Sequence, residues 1–276
     1  MKVGIVGNGF VGNALYENFK DVYETLVYDK DEKRRKNSLE EVYRCEVIFI
    51  CLPTPMIDAD GGECNLSIIE NFFEQIPRGI DSIFVIKSTV PVGTTKNLSK
   101  LRKDLKIIHN PEFLTAANAK EDFKRSERNI FGGHREHCEK VSEVLKRILP
   151  GVQSFIVSSE ESETIKYVAN IFLTLKISYF NLIFDFCESR EIDYDNVVLG
   201  VTSDSRIGKS HTQVPGPDGQ RGFGGTCFPK DLNSFIDLFE KENIDNAILR
   251  QVWDYNKKIR KEWDWKQSSS AVMKKD

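Results

Sequence analysis

The sequence predicts an α/β protein: a Rossmann-like, doubly wound parallel sheet, then a long central helix and a small all-helical domain. Three observations carry this. A G-x-G-x-x-G turn at Gly7, Gly9 and Gly12 joins an apolar run to a helix-compatible stretch. Short β-branched runs alternate with polar stretches through residues 1–158. From Ser159 about 30 residues pass without Gly or Pro.

The elements follow in order. Candidate strands are 2–6, 24–28, 47–52, 82–87, 106–109 and 154–157. Each short run is ambiguous alone, but six of them separated by helical patterns outline a parallel sheet with crossover helices. The long helix opens with capping and acidic residues. Its apolar residues, Ile165, Val168, Ala169, Phe172, Leu173, Leu175, Ile177, Phe180, Ile183, Phe184 and Phe186, occupy more than one face. Such a helix is expected to pack against another subunit, which makes 159–262 a helical dimerisation domain. Residues 203–225 are rich in Gly, Pro and Ser, and an irregular stretch this long is often functional. Helical patterns resume from Leu232 to about Lys261, and 263–276 reads as a flexible tail.

Bulk properties exclude several classes. With 39 basic and 42 acidic residues spread along the chain, no basic face is on offer to a nucleic acid. The opening lacks a small-residue cleavage site and no uninterrupted apolar run approaches about 18 residues, so a cytoplasmic protein with no membrane partner is expected. Cysteines 45, 51, 64, 138, 187 and 227 form no CxxC pair, which argues against a metal site and against a disulfide framework.

The glycine turn has the context that a dinucleotide fingerprint demands. Gly7 permits the tight turn, Gly9 lets backbone amides approach a pyrophosphate, and Gly12 lets the helix pack close to its strand. Asp29, 17 residues beyond Gly12, ends the second strand; its carboxylate suits ribose hydroxyls and repels a 2′-phosphate, so NAD is expected rather than NADP. The competing reading is a turn that only packs. Three further segments, CLPTP, KSTVPVGTT and HNPEFL, follow apolar strands; on their own residues each is as readily a structural turn as a binding loop.

Cys227 lies in R-G-F-G-G-T-C-F-P-K-D, between flexible glycines and the pair Lys230 and Asp231. A neighbouring ammonium favours a nucleophilic thiolate, whereas a lone cysteine is commonly packing; the local residues leave both open.

GFGGTCFPKD, together with GNGFVG, CLPTP, KSTVPVGTT and NPEFL, closely resembles the UDP-glucose/GDP-mannose dehydrogenase family over about residues 1–260. The resemblance implies a homodimer through the central helix and oxidation of a nucleotide-sugar C6 alcohol to the uronic acid, with two NAD⁺ consumed. It assigns Cys227 as nucleophile, with Asp231 and Lys166 around the water and the developing oxyanion. Thr89 and Glu112 hold the catalytic water and assist proton transfer, and Asn170 faces the sugar. Phe10, Val11, Arg34, Pro53, Thr54, Thr89 and Lys230 join the glycines and Asp29 as cofactor contacts. Phe113, Leu114, Thr115, Gly224 and Arg206 join Glu112, Lys166 and Asn170 as substrate contacts, Arg206 reaching the sugar of the partner subunit. For Lys166 taken alone, a solvated helix charge is the commoner fate.

Two departures from the family pattern stand out. Family members usually continue into a further Rossmann-like domain over the nucleotide, which is expected to be lacking here. Ala116 stands where a glutamate is usual. The loop from Arg206 to Cys227 is long, and its PGPDGQ stretch is expected to replace part of that lid. The alternative to an active enzyme is a non-catalytic or partner-dependent protein that binds NAD or a nucleotide sugar.

Overall fold

The protein is described from a computed structural model covering residues 1–115 and 118–273; Ala116 lies outside the described residues. In chain order the elements are β1 (Lys2–Val6), α1 (Phe10–Phe19), β2 (Glu24–Tyr28), α2 (Leu39–Val42), β3 (Val47–Ile50), β4 (Met56–Asp58), β5 (Gly61–Cys64), α3 (Ser67–Gln75), β6 (Ile83–Ile86), α4 (Thr94–Leu101), β7 (Lys106–His109), α5 (Ala119–Lys124), β8 (Arg128–Gly132), α6 (Arg135–Ile148), β9 (Gln153–Val157), α7 (Ser159–Ser189), α8 (Tyr194–Thr202), α9 (Phe228–Lys241) and α10 (Ala247–Ile259). A 3-10 turn follows at Asp264–Gln267. The chain divides into two units, Met1–Thr54 with Asn65–Lys166, and Pro55–Cys64 with Tyr167–Asp276.

The first unit holds a seven-stranded sheet in the order β2-β1-β3-β6-β7-β8-β9. Only the β7–β8 pair is antiparallel. Strand side chains alternate between faces, so both faces must be covered. Val47, Phe49 and Val85 pack with Leu15 and Phe19 of α1 and Val141 and Leu145 of α6. Ile48, Ile50, Phe84 and Ile86 pack with Val42 of α2, Ile69 and Phe73 of α3 and Leu98 of α4. The strand order reverses between β1 and β3, and the crevice at the carboxyl ends there is where an open α/β sheet binds its ligand.

β1, β2 and β7 have the bounds expected from sequence, while β3, β6 and β9 differ at their ends by one or two residues. β8 was not expected, because Arg128 and Asn129 break its apolar run.

The second unit is helical with one addition, the antiparallel hairpin of β4 and β5. A single cut at residue 158 therefore does not describe the chain: residues 55–64 count with the second unit, and α7 starts in the first. α7 runs for 31 residues, opened by a reciprocal pair in which Glu161 N donates to Ser158 Oγ (3.2 Å) and Ser158 N to Glu161 Oε2 (2.7 Å). By length and composition α7 is apolar enough to cross a membrane, although charged and polar residues interrupt its apolar runs. Its exposed side chains include Val168, Phe172, Tyr179, Leu182 and Phe186, while Asn170, Thr174, Ser178 and Asn181 are buried.

The tail expected at 263–276 is corrected for residues 263–273, which are built into the second unit; residues 274–276 lie outside the described residues. Trp265 is 0% exposed, donates Nε1–H to Ala59 O (2.9 Å) and stacks on Trp263. Met56 N donates to Ala271 O (2.7 Å) and Met273 N to Met56 O (2.8 Å). The segment looks polar in sequence because its order comes from one indole and from backbone pairing with distant Met56.

Candidate active site

The cofactor fingerprint sits at the switch point. Gly7 follows β1 with φ of +92°, and a Cβ there would lie 2.5 Å from Cys51 O, just past β3. A Cβ on Gly12 would lie 1.9 Å from Gly7 O. Gly9 caps α1 without a side-chain bond, and its missing Cβ faces open space, so backbone can approach a ligand; Phe10 and Val11 form the first turn. Asp29 accepts from Asn8 N (2.6 Å) and Asp31 N (2.8 Å), which fixes it as a carboxylate acceptor at the end of β2. Asn8 donates Nδ2–H to Arg34 O, and its buried Oδ1 has no partner. That orphaned acceptor, the open glycine and the fixed carboxylate fit a dinucleotide. The exposed Arg34 side chain pairs with Asp31. After β3 and β6, Thr54 Oγ1 donates to Thr89 O (2.8 Å), joining CLPTP, with Pro53, to KSTVPVGTT.

The remaining expected residues form two clusters, one in each unit. In the first, Lys166 is 2% exposed, donates Nζ–H to Glu112 O (2.6 Å) and lies 3.3 Å from Glu112 Oε1. It is therefore no solvated helix charge. Glu112 Oε2 accepts from Leu114 N (2.5 Å), and the Lys166 ammonium also stands 5.2 Å from the Phe113 ring. Thr115 donates from N and Oγ1 to Asp122. Thr89 is buried in the same unit.

Sequence reasoning passed over two further buried groups here. Lys87 donates to Asn110 Oδ1 (2.8 Å), and burial pulls its amine down to about 8. His109 bonds Ser162 Oγ through Nδ1 (2.9 Å), and burial drives its ring down to about 3, so it is neutral. Lys87 follows β6 directly and His109 ends β7, so both lie at the carboxyl end of a β-branched run and are buried there.

In the second unit Cys227 is the N-cap of α9, with Pro229 in the first turn and Asp231 N donating to Cys227 O (2.8 Å). The thiol is half-buried, and Thr226 Oγ1 lies 3.7 Å from Sγ. Lys230 pairs with Asp231, which is 0% exposed and accepts from Asn170 Nδ2 (2.6 Å). Burial acts to lower the Lys230 amine, but the Asp231 carboxylate outweighs it and raises the amine above its ordinary value, so the lysine is held charged. Asn170 follows Lys166 by one turn of α7, which directs both to the same side. Arg206 is exposed and pairs with Asp204. Gly224 has no room for a side chain, since a Cβ would lie 2.2 Å from Arg260 Nη2. Among the described residues no His, Cys, Asp and Glu group could hold a metal.

Three residues of this second cluster, Asn256, Arg260 and Asp264, were not expected. Asn256 and Arg260 fall in a helical pattern whose polar face reads as solvated, and Asp264 falls in the stretch read as a tail.

Residues 17–149 match the NAD binding domain of the UDP-glucose/GDP-mannose dehydrogenase family, and residues 160–258 match its central domain. NAD is accordingly the cofactor. The UDP-glucose 6-dehydrogenase of Rickettsia conorii is 34% identical over 252 residues, covering 88% of this chain and 56% of the relative. The UDP-glucose 6-dehydrogenase TuaD of Bacillus subtilis is 31% identical, with coverage of 94% and 56%. The chain thus spans little more than half the length of these relatives. Among solved structures, a UDP-glucose dehydrogenase from Pyrobaculum islandicum superposes with a TM-score of 0.81 at 26% identity, covering 93% of this chain and 68% of that one. Motifs, fold and both domain matches agree that the chain belongs to the UDP-glucose/GDP-mannose dehydrogenase family.

Proposed function

We propose that this chain is an NAD-dependent nucleotide-sugar 6-dehydrogenase that oxidises the C6 primary alcohol of a nucleotide sugar, UDP-glucose foremost, to the uronic acid. One observation carries the reading: Cys227 caps α9, with the buried Lys230–Asp231 pair in the first turn behind it. Bound NAD⁺ supplies the hydride acceptor for both two-electron oxidations. The Cys227 thiolate adds to the carbonyl carbon of the intermediate aldehyde, forming a thiohemiacetal. Loss of its C6 hydrogen as hydride leaves a thioester on Cys227. Water then attacks the acyl carbon, the carbon–sulfur bond breaks, and carboxylate and thiolate are released.

The other residues take roles that suit their chemistry. Lys166, a buried ammonium, is assigned to the developing oxyanion, where a cation is worth far more than in water. Asp231 is assigned to orienting water, Glu112 to accepting its proton with Thr89 as a hydrogen-bonding hydroxyl, and Asn170 to directing the sugar. Lys230 is assigned a place near the cofactor. Phe113, Leu114, Thr115 and Gly224 complete the sugar contacts.

A homodimer belongs to the same proposal. Val168, Phe172, Tyr179, Leu182 and Phe186 are exposed at spacings of four, seven, three and four, the repeat of one helix face. A second copy of this chain would bury that stripe, and Arg206, exposed beyond α8, would serve the partner's sugar.

Trapping the covalent intermediate tests the chemistry. After an acid quench with NAD⁺ and UDP-glucose, the tryptic peptide containing Cys227 should carry an acyl adduct of the sugar nucleotide, absent from Cys227→Ala. Turnover with no adduct on that peptide at any quench time would remove Cys227 from the mechanism.

A further inference from the structure

Asn256 in α10, Arg260 at its C-cap and Asp264 at the start of the following 3-10 turn are spaced by four, and each bonds the backbone of the segment leading into Cys227. Asn256 does so twice, accepting from Phe223 N at 2.7 Å and donating to Phe223 O at 2.9 Å. Arg260 Nη1 donates to Arg221 O at 3.4 Å, and Asp264 Oδ2 accepts from Gly225 N at 2.8 Å. The bonded positions, 221, 223 and 225, alternate as strand residues do against a partner strand. Here the partner is a row of side chains.

The row is itself fixed. Asn256 is fully buried, and Arg260, 3% exposed, holds Asp218 at 2.6 Å and Asp264 at 2.9 Å through Nη2. Its fit to the loop is close. A Cβ on Gly222 would lie 2.3 Å from Asn256 Oδ1, and one on Gly224 would lie 2.3 Å from Asp264 Oδ1. Two glycines therefore let the backbone approach the row, and the same glycines would leave the segment very flexible without it. Arg260 and Asp264 lie beyond the residues matched by the family's central domain.

We propose that the Asn256–Arg260–Asp264 row positions the Cys227 thiol by pinning residues 221–225, making these three side chains positioning residues of the active site. The proposal rests on the reading of Cys227 as nucleophile. Gly225 is two residues before Cys227, so where the segment is held decides where the thiol sits against the start of α9. Displacement of a reacting group by an ångström costs on the order of a hundredfold in rate. The PGPDGQ stretch takes part from the other side: Asp218 holds Arg260, and Gln220 exchanges two hydrogen bonds with Glu262. This makes it a brace on the row.

The test is the pH dependence of iodoacetamide alkylation at Cys227, followed by peptide mass spectrometry together with amide exchange. The positive end of α9 and the Lys230 ammonium favour a thiolate, so a thiol released from that place should need a higher pH to react. Asp264→Ala should raise the alkylation midpoint by about half a pH unit or more. It should also speed exchange of the 222–227 amides about tenfold, with 232–241 unchanged. Asp264→Asn keeps an acceptor for Gly225 N and should restore most of the shift. If Asp264→Ala does not fold, Arg260→Lys replaces it, since one ammonium cannot reach Asp218, Asp264 and Arg221 O together; the same shift is expected. A folded variant with unchanged midpoint and exchange would overturn the proposal. If the shift appears but the wild-type chain makes no NADH from any nucleotide sugar, the positioning stands and the proposed reaction fails.

Discussion

The Lys166 ammonium donates to the Glu112 carbonyl oxygen at 2.6 Å and stands 3.3 Å from its carboxylate, with both side chains buried. Removing one member leaves an uncompensated buried charge, whereas removing both leaves none. Lys166→Met and Glu112→Gln should each cost about 3 kcal/mol in urea unfolding. The double variant should recover more than half of the summed loss; strict additivity would show that the pair is not coupled.

His109 supplies an acid-sensitive element. Its pKa falls from 6.5 to about 3 in the fold, so its contribution is present above 6.5 and is lost as pH falls from there toward 3. At pH 4.5 the loss from this one group should be on the order of 2–3 kcal/mol. Lys87, lowered from 10.5 to about 8, acts the same way in its own window, so stability rises as pH climbs from 8 to 10.5. Urea midpoints across pH check this. His109→Gln should flatten the acid limb, and an unchanged limb would assign it to other groups.

The built-in segment after α10 makes a stability prediction. Trp265 is fully buried and bonded to Ala59 O, while Trp263 is only partly buried. Trp265→Ala should cost about 3–5 kcal/mol. Trp263→Ala should cost well under half of that, and equal costs would contradict the packing described.

Cofactor binding depends on backbone approach. A side chain at residue 12 would strike Gly7 O. Gly12→Val should therefore weaken NAD⁺ binding by calorimetry at least about tenfold. Asp29→Ala should narrow the preference for NAD⁺ over NADP⁺, because the carboxylate that repels a 2′-phosphate is gone.

The apolar stripe of α7 predicts self-association. Phe172→Asp with Leu182→Asp should turn a dimer into a monomer by analytical ultracentrifugation. A wild-type chain that sediments as a monomer would remove the dimer from the proposal.

Much of this was legible in sequence. Three strands, the long helix and the chemistry-bearing motifs are all local patterns, set by alternation, glycine spacing and caps. What escaped depends on distant partners. β8 reads as polar at its start but is completed by β7 and β9. Residues 263–273 are ordered by Met56 and Ala59, some two hundred positions away. Asn256 and Arg260 look like a solvated helix face, and Asp264 like part of a tail, until the GFGG backbone is laid against them, and Lys166 looks solvated until Glu112 is placed over it.

In the proposed reaction Cys227 carries the intermediate aldehyde through to the acid. The most direct measurement is NADH formed per nucleotide sugar consumed, with NAD⁺ in excess, for the wild type and Cys227→Ser. Two NADH per sugar in the wild type, with no uronic acid from the variant, is the predicted result. One NADH per sugar, or a variant that still yields the acid, would contradict it.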